Sequence, residues 1–403
     1  MSRTVVIVGG GIVGCATAYF AAREGLDVTL LEREHVGFGA SGRNPGFVWL
    51  HCRNPGFALE VSRAGRRLYP ELLDELPERF EFRAEGGVIY FNTPEQGRVF
   101  EEFVAARRRD GLNIELVDGA AVRGLVPPIR ADVLGASYCA EDAQINTPMV
   151  VRALAAGAQA EGADLREGVA VTGLLRAGDD IAGVMTDAGD IHGDAVVIAA
   201  GAWSAALLAS AGLHVSIGAE RLQVIGTDPL PLKIRPLVYG PLASKQYGLF
   251  RELPSWDAEL FRADYESDRG VEMLQLLAQR ADGRLLLGCA MDYPAELDVS
   301  PTLAGIGAIT QSIAADFPGL ADAPIERVWA GVLPYTSDTV PVIDEAEPGL
   351  FVASGHVFGN AAGPMTGRLI TQLLQGRPPD IDLSECRFAR PLEPTEAGVP
   401  ARW

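Results

Sequence analysis

The chain has 403 residues, 48% hydrophobic and 22% charged, a globular mix with enough length for about two to three domains of roughly 150 residues each. Its net charge of −19 argues against a nucleic-acid face, which needs clustered cations, and against adsorption to anionic lipid. Cys15, Cys52, Cys139, Cys289 and Cys386 are odd in number and widely spaced, and the five histidines are scattered. A disulfide framework and a protein-bound metal are therefore not expected, and a reducing, cytoplasmic compartment is.

The apolar run VVIVGGGIVGCATAYFAA follows Arg3 closely. A signal peptide or membrane span could look similar, but four glycines within positions 9–14 are poor helix chemistry. The run reads instead as strand Thr4 to Val8, turn Gly9 to Gly14 and helix Ile12 to Arg23, stopped by Gly25. A second strand, Val28 to Leu31, ends in Glu32 and Arg33 and completes a βαβ unit. The polar, Gly-rich segment GFGASGRNPG follows (residues 37–46), then a helix from Ala58 to Leu76. Between Phe80 and Ile145 the pattern shifts to short strands (GGVIYF, LGASYC) around a charged helix from Pro94 to Arg109. Pro148 opens another helix, with Pro near its first position. DAVVIAAGAWS is again a buried strand entering a Gly turn. Residues 215–324 form a second excursion, including the strand RLLLGCAM and a polar, aromatic-bearing insertion around 241–270 that the pattern does not place. WAGVLPYTSDTVPVID, the strand GLFVASG, a Gly/Asn turn and a helix from Met365 then return to the first domain style, and a Pro-rich tail after Gly376 is expected to wrap the surface. The division expected is 1–79, 146–214 and 326–385 for a nucleotide-binding domain, 80–145 and 215–325 for a substrate domain, and 386–403 for a tail.

Gly9-Gly10-Gly11-Ile12-Val13-Gly14 fits G-x-G-x-x-G, follows a strand, opens a helix and is followed by Glu32 at the end of the next strand. In that context it is a dinucleotide fingerprint. Gly9 permits the tight turn, Gly11 lets a pyrophosphate approach, and Gly14 lets the helix pack on the strand. The helix start, with Ile12 and Val13, offers N–H groups to phosphate. Glu32 can accept from ribose hydroxyls. FAD and NAD share this fingerprint, and no second copy is present. In 37–46, Ser41, Arg43 and Asn44 can bond phosphate or a polyol, with Ala40 allowing close approach, and Arg33 can stack on adenine.

GGGIVG, Glu32-Arg33, GASGRN, DAVVIAAGAWS, WAGVLPYTSDTVPVID and SGHVFGNAAGPMTGRLI occur in one order. Together they resemble the D-amino-acid oxidase superfamily of FAD enzymes, in the branch with glycine and sarcosine oxidases and D-amino-acid dehydrogenases. GFGASGRN is similar to amine-oxidising γ-glutamylputrescine oxidases. The resemblance implies an α/β fold, with a Rossmann-like FAD-binding domain of the glutathione-reductase type interleaved with an α+β substrate domain on a mainly antiparallel sheet. It implies that Gly9, Gly11 and Gly14 line the pyrophosphate and that Glu32 holds the adenosine ribose. Ala40, Ser41, Arg43 and Asn44 would follow the phosphates and ribityl chain. Val169 would present backbone to adenine, and Gly201 and Trp203 would meet the cofactor. His356, Gly359 and Asn360 would lie near the flavin pyrimidine end, where a helix N-terminus stabilises negative charge.

In such relatives the turn corresponding to Gly331-Val332-Leu333-Pro334 commonly carries an Arg that pairs with the substrate carboxylate; here Leu333 stands in its place. Phe358 likewise occupies a position near which another Arg is found in glycine oxidases. A tyrosine commonly placed a few residues before the strand that here reads DGRLLLG is replaced by Leu276. Either the substrate lacks a carboxylate there, or another cation reaches it, with Arg251, Arg262 and Lys245 as candidates. Tyr335 and His356 are the pocket residues expected nearest the chemistry. The expected activity is oxidation of the C–N bond of an amine or amino acid (a D-amino acid, N-substituted amino acid or opine-like molecule) by hydride transfer to flavin. Electrons would pass to O2 or to an accepting partner. Oxidation of a hydroxy acid, or service as the flavin subunit of a hetero-oligomeric dehydrogenase, are the alternatives. An oxygen-activating lysine could be Lys233 or Lys245.

Overall fold

The computed structural model describes residues 3–178, 180–263, 270–294 and 296–395. Its first sheet has six strands in the order Val342–Glu347, Leu350–Ser354, Ala195–Ile198, Thr4–Val8, Asp27–Glu32, Asp164–Glu167. All neighbours pair in parallel except the first two. The central strand TVVIV is β-branched on both faces and buried on both: helices cover one face, and the three-stranded antiparallel sheet Val171–Ala177, Asp180–Thr186, Gly189–His192 packs on the other. The helix Ile12–Arg23 packs against Gly359–Leu374 and Thr147–Ala160. A Cβ on Gly367 would stand 2.6 Å from Ala16, so this glycine sets how closely the first two of these helices approach.

The second sheet has eight strands in the order Ile325–Tyr335, Gly218–Thr227, Leu285–Asp292, Glu272–Gln279, Leu237–Tyr239, Gly87–Phe91, Gly135–Cys139, Ile114–Asp118. It is antiparallel except between Leu237–Tyr239 and Gly87–Phe91. The strand Ile325–Tyr335 corrects the expected boundary at residue 326. It pairs along its length with Gly218–Thr227, so it belongs to the substrate sheet, and the chain re-enters the nucleotide sheet only at Val342. A small sheet of Phe47–Val48, Ala143–Ile145 and Phe82–Arg83 lies beside the crossing between the two domains.

Two further details differ from the sequence pattern. The segment 37–46 contains a helical turn, Ala40–Arg43. The last helix begins at Gly359 rather than Met365 and carries Pro364 inside it. Pro364 supplies no N–H to the Asn360 carbonyl four residues back, and the Tyr69 hydroxyl donates to that carbonyl instead. Helical geometry therefore continues through the proline. The described part of the 241–270 insertion forms three short helical turns, Ala243–Gln246, Gly248–Arg251 and Ala258–Phe261; residues 264–269 lie outside the described residues. Phe250 stacks on Phe103 at 4.0 Å between centroids, which seats the insertion on the Pro94–Arg109 helix. The tail is tied down as far as Thr395, with Arg390 on Asp338 and the Thr395 N–H on Ser216. The five cysteines are free and buried. No described helix is long and apolar enough to cross a membrane.

Candidate active site

One cavity of about 420 Å³ runs from the turn after the first strand to the face of the eight-stranded sheet, a size within the range of about 300–1,000 Å³ common for ligand sites. At its nucleotide end the wall includes Gly9, Gly11, Ile12 and Val13. Gly9 has φ +112°, and a Cβ there would lie 2.5 Å from the Ala199 carbonyl, so only glycine fits the turn. Gly14 is not on the wall. A Cβ on it would lie 1.9 Å from the Gly9 carbonyl, so its role is to let the helix meet the turn. The Ile12–Arg23 helix has no acidic residue in its first turn, so its positive dipole end faces the cavity uncompensated.

Glu32 lines the cavity with its carboxylate fixed. Oε2 accepts from the Gly10 N–H at 2.7 Å and Oε1 from the Glu34 N–H at 2.9 Å. Arg33 is on the wall with its guanidinium 5.1 Å from the centre of the Trp203 ring, also on the wall. Val169 lies beside them, its N–H donating to the Glu32 carbonyl at 3.0 Å. Gly201 is on the wall at φ +53°, its carbonyl accepting from Ser354 Oγ at 2.9 Å.

Midway, Ala40, Ser41 and Asn44 line the cavity. Ser41 Oγ accepts from the Ile12 N–H at 2.9 Å, joining the loop to the helix start. Asn44 Oδ1 accepts from Asn360 Nδ2 at 2.8 Å, joining it to the last helix. Arg43 is not on the wall. Its Nε donates to the Phe38 carbonyl at 2.8 Å and Nη1 to the Ala330 carbonyl at 3.3 Å, so it bridges the loop to the strand Ile325–Tyr335. His356, Phe358, Gly359 and Asn360 are all on the wall, where the Gly359–Leu374 helix begins, again with no acid in its first turn. Burial lowers the His356 pKa to about 3, so the ring is neutral; its Nε2 lies 3.0 Å from Thr366 Oγ1.

Of the residues expected at the substrate end, Leu333 and Phe358 are on the wall. Tyr335 is buried off it, and Arg251, half-buried, is off it too, its Nη2 donating to the Lys245 carbonyl at 2.8 Å. Lys245 and Lys233 are also absent from the wall, and Arg262 is exposed beside Glu259. Sequence reasoning missed the residues that do close this end: Trp49, Arg53, Tyr239 and Tyr247, with Leu222 and Leu274. Leu276 is there too, paired in register with Tyr239. Trp49 meets Tyr239 edge-on at 4.5 Å, and Arg53 Cζ sits 4.9 Å from the Phe358 ring centre.

Below Trp49 a fully buried group, His51, Cys139 and Asp142, brings potential metal-ligating atoms within 4.8 Å of one another, with buried Ser137 beside His51. Its donors and acceptors are engaged with protein. His51 Nδ1 lies 3.1 Å from Asp142 Oδ2 and Nε2 lies 2.8 Å from Ser137 Oγ, while Asp142 Oδ1 accepts from the Leu50 and His51 N–H groups at 2.7 and 3.1 Å. The triad-like order of Ser, His and Asp has no opening to solvent, and its geometry serves to hold the 49–53 segment.

Residues 4–373 match the family described as DAO, FAD dependent oxidoreductase. The chain belongs to this family. It is 29% identical over 398 residues to a glycine oxidase of Pseudomonas aeruginosa, covering 95% of this chain and 97% of that one. It is 26% identical over 394 residues to the uncharacterized oxidoreductase YurR of Bacillus subtilis, with 95% and 97% covered. The crystal structure of glycine oxidase from Geobacillus kaustophilus superposes with a TM-score of 0.82 at 24% identity, covering 97% of this chain and all of that one, and shows the shared fold.

The chain is thus an FAD-dependent oxidoreductase, and its own residues fit that cofactor. The glycine cradle admits a pyrophosphate where a Cβ would block the turn, Glu32 is held with its carboxylate on the wall, and two helix starts without acids face the same cavity. Gly9, Gly11, Ile12, Val13, Ser41 and Glu32 would hold the nucleotide half. Phe358, Gly359 and Asn360 would hold the flavin half.

Proposed function

We propose that the protein oxidises the C–N bond of an amine or amino acid, with FAD as acceptor and O2 or a protein partner as the final electron sink. The observation that carries this reading is the continuous cavity joining the FAD cradle to an aromatic and aliphatic chamber on the eight-stranded sheet. The glycine oxidase named above supports the C–N class. When bound, FAD supplies the two-electron acceptor.

The chain's own contribution is enclosure and orientation. Leu222, Leu274, Leu276 and Leu333 exclude water from the chamber, which disfavours a charged ammonium and favours a neutral amine. Among the described residues of the wall, Glu32 is the one carboxylate, and it lies at the nucleotide end. Burial keeps Tyr239 and Tyr247 protonated and His356 neutral. No wall group at the substrate end is therefore an ionised base, and a reaction that needs none fits the chamber.

The test is anaerobic titration of the purified flavoprotein with amines, D- and L-amino acids, N-methyl amino acids, opines and hydroxy acids, following the flavin band. Bleaching by a nitrogen-bearing class supports the reading. Bleaching by hydroxy acids alone, or by nothing until a partner subunit is added, overturns it.

A further inference from the structure

Leu333 offers no charge to an acid substrate, and the structure places a cation on a different part of the cavity wall. Arg53 is 6% exposed and lies on the cavity wall. Its guanidinium is flanked by two rings of that wall, Phe358 at 4.9 Å and Tyr247 at 5.8 Å from their centres. Its hydrogen bond to protein is Nε to the Trp49 carbonyl at 3.0 Å, and no carboxylate among the described residues pairs with it. A buried cation without a counter-ion is strongly unfavourable, so a position like this is stabilised by an anion that arrives with a ligand.

The cation is also fixed in place. Arg107, itself buried, donates from Nε to the His51 carbonyl at 3.2 Å and from Nη2 to the Arg53 carbonyl at 2.7 Å. Asp142 holds the Leu50 and His51 N–H groups of the same segment. Backbone pinned at Leu50, His51 and Arg53 limits the ordering cost of binding. Across the chamber, Leu222, Leu274, Leu276 and Leu333 offer an apolar wall.

We propose that Arg53 binds the carboxylate of an amino-acid substrate whose apolar side chain or N-substituent packs on the leucine wall. This rests on the C–N oxidation reading above and narrows it to acids with an aliphatic group. Leu333 is then a packing residue for the substrate.

The test separates carboxylate binding from turnover. The flavin-loaded protein is titrated with 4-methylpentanoate, which has the carboxylate and aliphatic chain but no nitrogen to oxidise, and with isoamylamine, which has the chain and nitrogen but no carboxylate. The change in the flavin spectrum is followed without reduction. Wild type is expected to bind 4-methylpentanoate saturably. Arg53→Leu is expected to weaken that binding at least about 30-fold, the equivalent of about 2 kcal/mol for loss of a buried charge-assisted contact. Arg53→Lys is expected to fall between the two, with flavin content unchanged in both variants. Reduction by leucine (either enantiomer) or proline but not by isoamylamine or pyrrolidine is the matching result in turnover. The proposal is overturned if 4-methylpentanoate fails to bind wild type, if it binds Arg53→Leu equally well, or if the variants lose flavin instead of ligand. If the carboxylate binds through Arg53 and no nitrogen compound reduces the flavin, the Arg53 assignment stands and the C–N reading fails.

Discussion

The Tyr69 hydroxyl donates to the Asn360 carbonyl, the acceptor that Pro364 leaves without a helical donor. Asn360 then reaches Asn44 with its own side chain at 2.8 Å, and Asn44 accepts from the Gly46 N–H at 2.8 Å and from Thr147 Oγ1 at 2.9 Å. The phenol of one helix thus anchors the point where two segments of the cavity wall meet.

Tyr69→Phe keeps the buried ring and leaves the Asn360 carbonyl without that donor. The expected cost is about 1–3 kcal/mol, the penalty of an unmet buried acceptor. The check is urea unfolding of wild type and variant, with the midpoint for flavin release recorded in parallel. Both should fall together, because the lost bond supports wall residue Asn360. Flavin release unchanged beside a lowered unfolding midpoint would contradict the link to the wall.

At the other end, Gly14→Ala is expected to be worse than a typical helix Gly→Ala change, which is usually favourable to the helix. The added Cβ would need to occupy space 1.9 Å from the Gly9 carbonyl. The turn must open to accept it, and the turn is the pyrophosphate cradle. The purified variant should carry less than about a tenth of the wild-type flavin, read from the ratio of flavin to protein absorbance and corresponding to more than 1.4 kcal/mol in affinity under subsaturating cofactor. Wild-type flavin content in this variant would show that the turn relaxes without cost.

How much of this was legible in the sequence follows from how local each signal is. The fingerprint glycines and Glu32 are fixed by spacing along one βαβ unit, so Gly9, Gly11 and Glu32 reach the wall while Gly14 lies behind it, against the Gly9 carbonyl. Arg43 sits in the same Gly-rich loop yet turns away to Phe38 and Ala330, because the helical turn Ala40–Arg43 rotates it toward the substrate sheet. Arg53 was invisible for the opposite reason. Its neighbours on the wall, Tyr247 and Phe358, come from segments about two hundred and three hundred residues away, and nothing short-range marks it. A weak signal was present: Trp49, His51 and Arg53 alternate in a run, FVWLHCR, otherwise apolar enough to be buried. A charged residue ending such a run needs a partner.

Two buried groups give the fold opposite pH dependences. Burial lowers the His356 pKa from 6.5 to about 3. As pH falls below about 6.5 the unfolded chain binds this proton and the folded chain does not, so His356's contribution is fully present above that value and is lost toward about 3. Burial raises the Glu220 pKa from 4.5 to about 8, while its Oε1 accepts from the Tyr293 hydroxyl at 2.8 Å. The unfolded chain releases that proton above about 4.5 and the folded chain holds it to about 8, so stability falls as pH rises through this window. Glu220→Gln keeps an acceptor for Tyr293 and removes the titration. Its stability relative to wild type should therefore be greater at about pH 8 than at about pH 5, as measured by denaturant midpoints at each pH. An equal difference at both would exclude Glu220 as the source of alkaline destabilisation.

The 49–53 segment gives the last prediction, concerning how Arg53 is held. Asp142 is fully buried, and its Oδ1 accepts from two backbone N–H groups, Leu50 and His51, while Oδ2 faces His51 Nδ1. Asp142→Ala strands both amides, at about 1–3 kcal/mol each. It also frees the segment that carries Trp49 and Arg53. Asp142→Asn retains a carbonyl for the amides, and its NH2 can donate to His51 Nδ1 if the ring carries its proton on Nε2 and donates to Ser137. The Asn variant should therefore recover most of the stability and the binding of 4-methylpentanoate, and the Ala variant should lose both while still binding FAD, whose cradle lies on the other sheet. Asp142 is a positioning residue, so the decisive readout is ligand affinity at equal flavin content. If the Ala variant, once stabilised by saturating FAD, binds the carboxylate with wild-type affinity, then Arg53 keeps its place without the network and the role assigned to Asp142 is wrong.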